Sequence, residues 1–368
     1  MTKFSQQYPK RDRRRPGPRS TTDRARLIAL AVATVGTLAA CGQAEAPKPA
    51  ASATPTPPAS SAAPSTGRIV RLDPAFDQLV PATAAIEKIA GGFQFTEGPL
   101  WRPDGTLWFS DVVGNVVRSV KPDGTVRVLI DYPAGTPTVP AGSFIGSNGM
   151  MADTDGTVLL AVHWTHQIVR ITPDLRTTTL IDSFEGKRLN SPNDLVRRSD
   201  GTIYFTDPPY GLVQQDTDPA KAQRFNGVYM LAHGKATALV RDLTRPNGVA
   251  FSPDEKTLYV TNSDEAHKVI MRYDVAADGT LSNGRIFHDA TAVKDPGLPD
   301  GIKVDEHGNV YSAAPGGIRV FSPDGKHLGT IQPPETASNC AWGDDGTSLY
   351  ITAETGVYRI KLTTRGKV

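Results

Sequence analysis

The sequence predicts an all-β fold, a six-bladed β-propeller, on three observations. First, one unit recurs: an Asn, Asp or Glu, a short apolar run, a turn rich in Asp and Gly, and a strand of Val, Ile, Leu, Tyr and Thr. Second, the copies begin at Glu97, Asn148, Asn193, Asn247, Asp300 and Asn339, about 40–55 residues apart, which is the spacing of propeller blades. Third, no long amphipathic helical pattern interrupts the chain after Ile69, where short β-rich runs are bounded by Asp-Gly, Pro-Asp and Asn-Gly instead.

The first residues stand apart from that pattern. Lys10-Arg11 and Arg13-Arg14-Arg15 form a basic region, and Leu27 to Ala40 is an apolar stretch short for a bilayer span. Leu38-Ala39-Ala40-Cys41-Gly42 resembles the lipobox of a bacterial lipoprotein, so residues 1–40 are expected to be a signal peptide and Cys41 a lipidation site. Residues 41–67 are mostly Ala, Pro, Ser and Thr, a composition that cannot bury a core and reads as a disordered tether. The expected location is therefore membrane-anchored, facing the periplasm or the cell exterior. Residues 68–368 are left as the propeller domain, long enough for a sizeable core. Removing nine basic and two acidic residues with the signal leaves 31 basic against 36 acidic, a net charge of −5, which gives no ground for nucleic-acid binding.

Each unit justifies a hairpin. Asp104-Gly105, Asp155-Gly156, Asp200-Gly201 and Asp345-Gly346 sit between two strand-like runs and read as turns. Ala85 to Ala90 supplies a strand before the first unit, and its expected role is to close the ring by pairing with the last blade. Trp101, Trp108, Trp164 and Trp342 are assigned to spaces between blades, and Cys340 to an inner strand as a small buried residue.

The residues that open the units carry the chemistry. In a propeller the innermost strands line a central channel, so equivalent positions meet at one depth around the axis. Glu97, Asn148, Asn193, Asn247, Asp300 and Asn339 would converge there as two carboxylates and four amides. That donor set suits a hard cation, which accepts carboxylate, amide and water oxygens together. Calcium comes first; magnesium, manganese or zinc are also admitted, zinc against the lack of thiols and clustered imidazoles.

Glu97-Gly98-Pro99-Leu100-Trp101, Ser191-Pro192-Asn193-Asp194, Phe205 to Gly211, Pro246-Asn247-Gly248 and Pro299-Asp300-Gly301 resemble, in order, the motifs of the senescence-marker-protein, gluconolactonase and luciferin-regenerating family, gluconolactonase branch. The resemblance implies a propeller with a divalent cation in its channel and hydrolysis of small sugar-type lactones, or of phosphotriesters and other esters in relatives. It places Glu97, Asn247 and Asp300 on metal ligands, with Asn193 as a fourth channel residue that binds metal or substrate. It also makes Asp300 the general base. His163, in Val162-His163-Trp164 where many relatives carry Glu-His-Gly, is the next candidate for proton transfer. Asn148, Asp207 and Tyr210 complete the expected substrate contacts, and the segment 211–227 is left unassigned. A different class of function would be a non-catalytic propeller with structural calcium, binding a sugar or peptide.

Overall fold

The computed structural model describes residues 66–367; residues 1–65, with the expected signal peptide, Cys41 and most of the tether, lie outside them. The described residues form six antiparallel blades around a channel. The first runs Thr96–Arg102, Thr106–Asp111, Val116–Val120 and Val126–Asp131 from the channel outward. The innermost strands of the next five are Ser147–Ala152, Leu195–Arg197, Pro246–Phe251, Ile302–Val304 and Ala337–Gly343.

Closure follows the sequence expectation. Glu87–Gly91 pairs antiparallel with Gly356–Lys361 and completes the sixth blade, so a strand that precedes the first blade shares a sheet with the last strands of the propeller. A second N-terminal strand was not foreseen: Arg68–Arg71 lies along His327–Gln332 and makes the fifth blade five-stranded. The turn after it packs Phe76 and Leu79 into the core, where Phe76 is fully buried. Both strands cover exposed sheet edges that would otherwise offer unpaired backbone groups.

Aromatic side chains fill the wedges between blades. Trp101 of the first blade stacks on Tyr350 of the sixth at 5.2 Å, and Tyr311 of the fifth meets Trp342 edge-on at 5.1 Å. Trp108 and Trp164 pack on the apolar cluster shared by the first two blades. The Asp-Gly segments are turns as expected, each Asp carboxylate accepting the backbone N–H two residues on, as Asp104 does from Thr106 at 3.1 Å. Cys340 is fully buried, and burial pushes its thiol up to about 12, which makes it an inert core residue.

Candidate active site

The depth of three of the six unit-opening residues is fixed by one contact repeated between successive blades. A hydroxyl on the second strand of one blade donates to the backbone carbonyl of the opening residue of the next. Ser110 does so to Asn148 at 2.8 Å, Thr206 to Asn247 at 2.6 Å and Thr261 to Asp300 at 2.8 Å. The glycine that follows four of the opening positions, at 98, 149, 248 and 301, explains itself in the same geometry. A Cβ on Gly248 would lie 2.3 Å from the Asp300 carbonyl oxygen, and one on Gly149 would lie 2.5 Å from that of Asn193. These glycines are therefore close-approach positions inside or beside strands, distinct from the turn glycines.

The side chains meet as a ring. Asn339 Nδ2 donates to Glu97 Oε2 at 3.0 Å, which also accepts the Gly98 N–H at 2.6 Å. Asn193 and Asn247 touch through their amides at 2.5 Å, and Asn247 Nδ2 reaches Ser263 Oγ at 2.9 Å and the Tyr210 hydroxyl at 3.4 Å. His163, fully buried, holds Asn193 from behind: its Nε2 lies 3.0 Å from Asn193 Oδ1 and its Nδ1 lies 3.0 Å from the Phe144 carbonyl oxygen. Burial lowers the imidazole's proton affinity below the ordinary value. His163 is thus a wall of the site, shielded from solvent and bonded to a ring amide.

Asp207 does not reach the ring. Its Oδ2 accepts the Asn190 N–H at 2.8 Å and its Oδ1 the Ser191 N–H at 2.7 Å, in a fully buried position. Asp111 in the first blade does the same for Gln94 and Phe95, and Asn262 in the fourth for Arg245. The role is a bracket, repeated in three blades, that fixes the loop entering the innermost strand. Both Asp207 oxygens are thus engaged by the loop that leads to Asn193, a bracket under the site where the sequence reading expected a substrate contact.

Two channel residues escaped sequence reasoning. Asp194, buried beside Asn193, accepts the Leu195 N–H at 2.9 Å and the Val249 N–H at 3.3 Å. Lys303 brings its Nζ to 3.5 Å from Asn339 Oδ1 and 4.0 Å from Asp194 Oδ2. Asp194 was visible only as the third residue of Pro-Asn-Asp, and Lys303 carried no signal. Further along the same innermost strands the channel widens into a cavity of about 670 Å³ lined by Leu100, Met150, Phe251 and Trp342, which Lys303 also reaches. The segment 211–227 is tied to the connections between blades, Gln223 Nε2 donating to the Phe184 and Lys187 carbonyls of a two-stranded hairpin and Asn226 Nδ2 to that of Thr244. Gly211 packs directly on His163.

The electrostatics of the ring match a cation. Burial, then the neighbouring carboxylates, push Asp300 well above the usual carboxylate range; burial also raises Glu97, with Asp194 adding to it. Asn148 Oδ1 is buried with no hydrogen-bond partner, a free acceptor at the channel. Among the described residues no three His, Cys, Asp or Glu side chains gather closely enough to bind a metal, so a cation here would rest on amide oxygens as well as carboxylates. Two carboxylates, amide oxygens and an orphan acceptor form a donor set that fits calcium.

Residues 95–355 match the family described as SMP-30/Gluconolactonase/LRE-like region. Among curated relatives, the gluconolactonase of Zymomonas mobilis is 39% identical over 82% of this chain and 87% of its own length. Regucalcin of Xenopus laevis is 28% identical over 71% of this chain and 83% of that protein. Among solved structures, a gluconolactonase from Xanthomonas campestris superposes with a TM-score of 0.72 at 35% identity, covering 83% of this chain and 98% of that one.

Proposed function

Because the chain belongs to the SMP-30/gluconolactonase/LRE-like family, we propose that it hydrolyses small sugar-type lactones at the oxygen ring of its channel. The observation that carries this reading is the ring itself. Buried Glu97 and half-buried Asp300 sit among amides in an environment that disfavours their own charge, which is a site poised for a cation.

Glu97, Asn193, Asn247 and Asp300 would hold that cation, calcium in the first place. When bound it offsets the two carboxylates and acts as a Lewis acid for the oxygen that gains charge. The chain's own groups do the rest. Asp300 takes a proton from the attacking water as the new C–O bond forms at the lactone carbonyl, and the ring C–O bond then breaks with that proton passing to the leaving alkoxide. The unpaired Asn148 Oδ1 accepts a hydrogen bond from a substrate hydroxyl, and the Tyr210 hydroxyl borders the same space through Asn247. His163 keeps Asn193 in place and is shielded from solvent, so its part is positioning.

The test strips metal with a chelator and follows proton release from an aldonolactone and from a phosphotriester. Calcium, magnesium, manganese or zinc is then restored, in the parent and in Asp300→Asn. Lactone opening restored by a divalent cation and lost in the variant supports the reading. Turnover of the phosphotriester alone moves the substrate class; metal-dependent stabilisation with no turnover points to a binding protein. Export and lipidation at Cys41 belong to the same proposal, on the lipobox-like sequence. Incorporation of labelled palmitate into the parent and none into Cys41→Ser is the expected result.

A further inference from the structure

Two hydrogen-bond chains enter the ring from opposite sides, and each begins at a backbone carbonyl that can only accept. On one side the Phe144 carbonyl oxygen lies 3.0 Å from His163 Nδ1, so that nitrogen carries a hydrogen. The imidazole is fully buried and no carboxylate is hydrogen-bonded to it, an environment that holds it neutral, with one N–H. Its Nε2 is then an acceptor, and the group facing it from Asn193 at 3.0 Å must be the amide NH₂. Oxygen and nitrogen of an amide are assigned by the network they join. This network turns the Asn193 oxygen inward, toward Asn247.

On the other side Ser263 Oγ donates its single hydrogen to the Pro299 carbonyl. The serine can then only accept from Asn247, whose Nδ2 sits 2.9 Å away. The Asn247 oxygen therefore points back at Asn193, with which it is in contact. Two amide oxygens end up face to face, with their nitrogens held behind them. Such a pair repels unless something positive lies between or beside it.

We propose that His163 and Ser263 are positioning residues that orient the amide oxygens of Asn193 and Asn247 toward a shared cation, their own orientation being dictated by the Phe144 and Pro299 carbonyls. This rests on the metal reading given above. It explains why the imidazole is retained in a wall of the site that solvent cannot reach. It also separates His163 from the general-base role, because the lone pair on its Nε2 is taken by the Asn193 amide NH₂ in a position shielded from solvent.

The deciding measurement is the tautomer of His163 in the folded parent protein, read from long-range ¹H–¹⁵N correlations of the imidazole. The expected pattern is a neutral ring with hydrogen on Nδ1. Calcium titrations by calorimetry of His163→Gln, His163→Asn and Ser263→Ala accompany it. The Gln amide places a polar atom near the position of Nε2 and the Asn amide near Nδ1. His163→Gln should therefore hold calcium within about threefold of the parent, while His163→Asn and Ser263→Ala weaken it about tenfold or more, a loss of about 1.4 kcal/mol. Hydrogen on Nε2, or equal affinity in all three variants, overturns the inference even if calcium binds the parent. A parent that binds no divalent cation overturns the metal reading as well, and the tautomer, read without metal, then shows which of the two has failed.

Discussion

Replacing Lys303 by Met tests how the channel balances its own charge. Glu97, Asp194 and Asp300 contribute three carboxylates to the channel, and Lys303 Nζ stands 4.0 Å from Asp194 Oδ2. With a cation bound and all three ionised, the ammonium would leave the channel groups at −2, which a divalent cation cancels, and without it they would stand at −3; in the metal-free protein burial favours the protonated form of Asp300, so the pair with Asp194 is the term that is tested. At an effective dielectric of about 20, unit charges at that separation interact by about 4 kcal/mol. The Lys303 side chain is 29% exposed and that of Asp194 only 4%, so the lysine keeps part of its hydration while the carboxylate depends on it. Discounting for that exposure, Lys303→Met should destabilise the metal-free protein by about 2–3 kcal/mol, near the lower end for breaking a buried pair. The loss should shrink in saturating calcium, because the more negative ring binds the cation more tightly. Urea unfolding in chelator and in calcium, on Lys303→Met, Asp194→Asn and the double variant, closes a thermodynamic cycle. A coupling below about 0.5 kcal/mol in chelator would refute the assignment of Lys303 as counter-charge to Asp194, since an interacting pair exceeds that value.

Three further outcomes are expected. Burial raises Asp207 from its ordinary 3.8 to about 7, so the folded state holds a proton that the unfolded chain has lost between those values. Its contribution is full below about pH 4 and is lost as pH rises through 7, a change of about 4 kcal/mol. Asp207→Asn should flatten that slope in denaturation measured at pH 5 and 8, and should lower stability at pH 5 by about 1–3 kcal/mol because an amide NH₂ then faces the Asn190 or Ser191 N–H. Gly248→Ala puts a methyl 2.3 Å from the Asp300 carbonyl; it should cost about 1–3 kcal/mol and reduce kcat by a larger factor than stability alone accounts for, read by paired thermal melts and kinetics. In a Cys41→Ser background, Cys340 should take up no aromatic disulfide reagent until the protein is unfolded, because the thiol is buried and its pKa is pushed up to about 12.

What the sequence by itself determined is the repeating part of the molecule. Six units, their Asp-Gly turns, the closing strand before the first unit and the ring positions from Glu97 to Asn339 follow from local pattern and spacing, because a propeller sets equivalent residues at one depth. Tertiary structure alone decided what each side chain meets there. Asp207 and Asn193 both stand at the edge of a strand in polar surroundings, yet the first faces backbone N–H groups and the second faces the axis. Arg68–Arg71 gives no local hint that it will join the fifth blade rather than the tether. Lys303 and Asp194 lie more than a hundred residues apart in sequence and come within ion-pair reach only when the third and fifth blades share a channel. His163 and Ser263 likewise act through carbonyls that the chain supplies from separate loops. Strand and turn patterns are written in neighbouring residues; hydrogen-bond partners and counter-charges are set across blades, by distances that no linear spacing encodes.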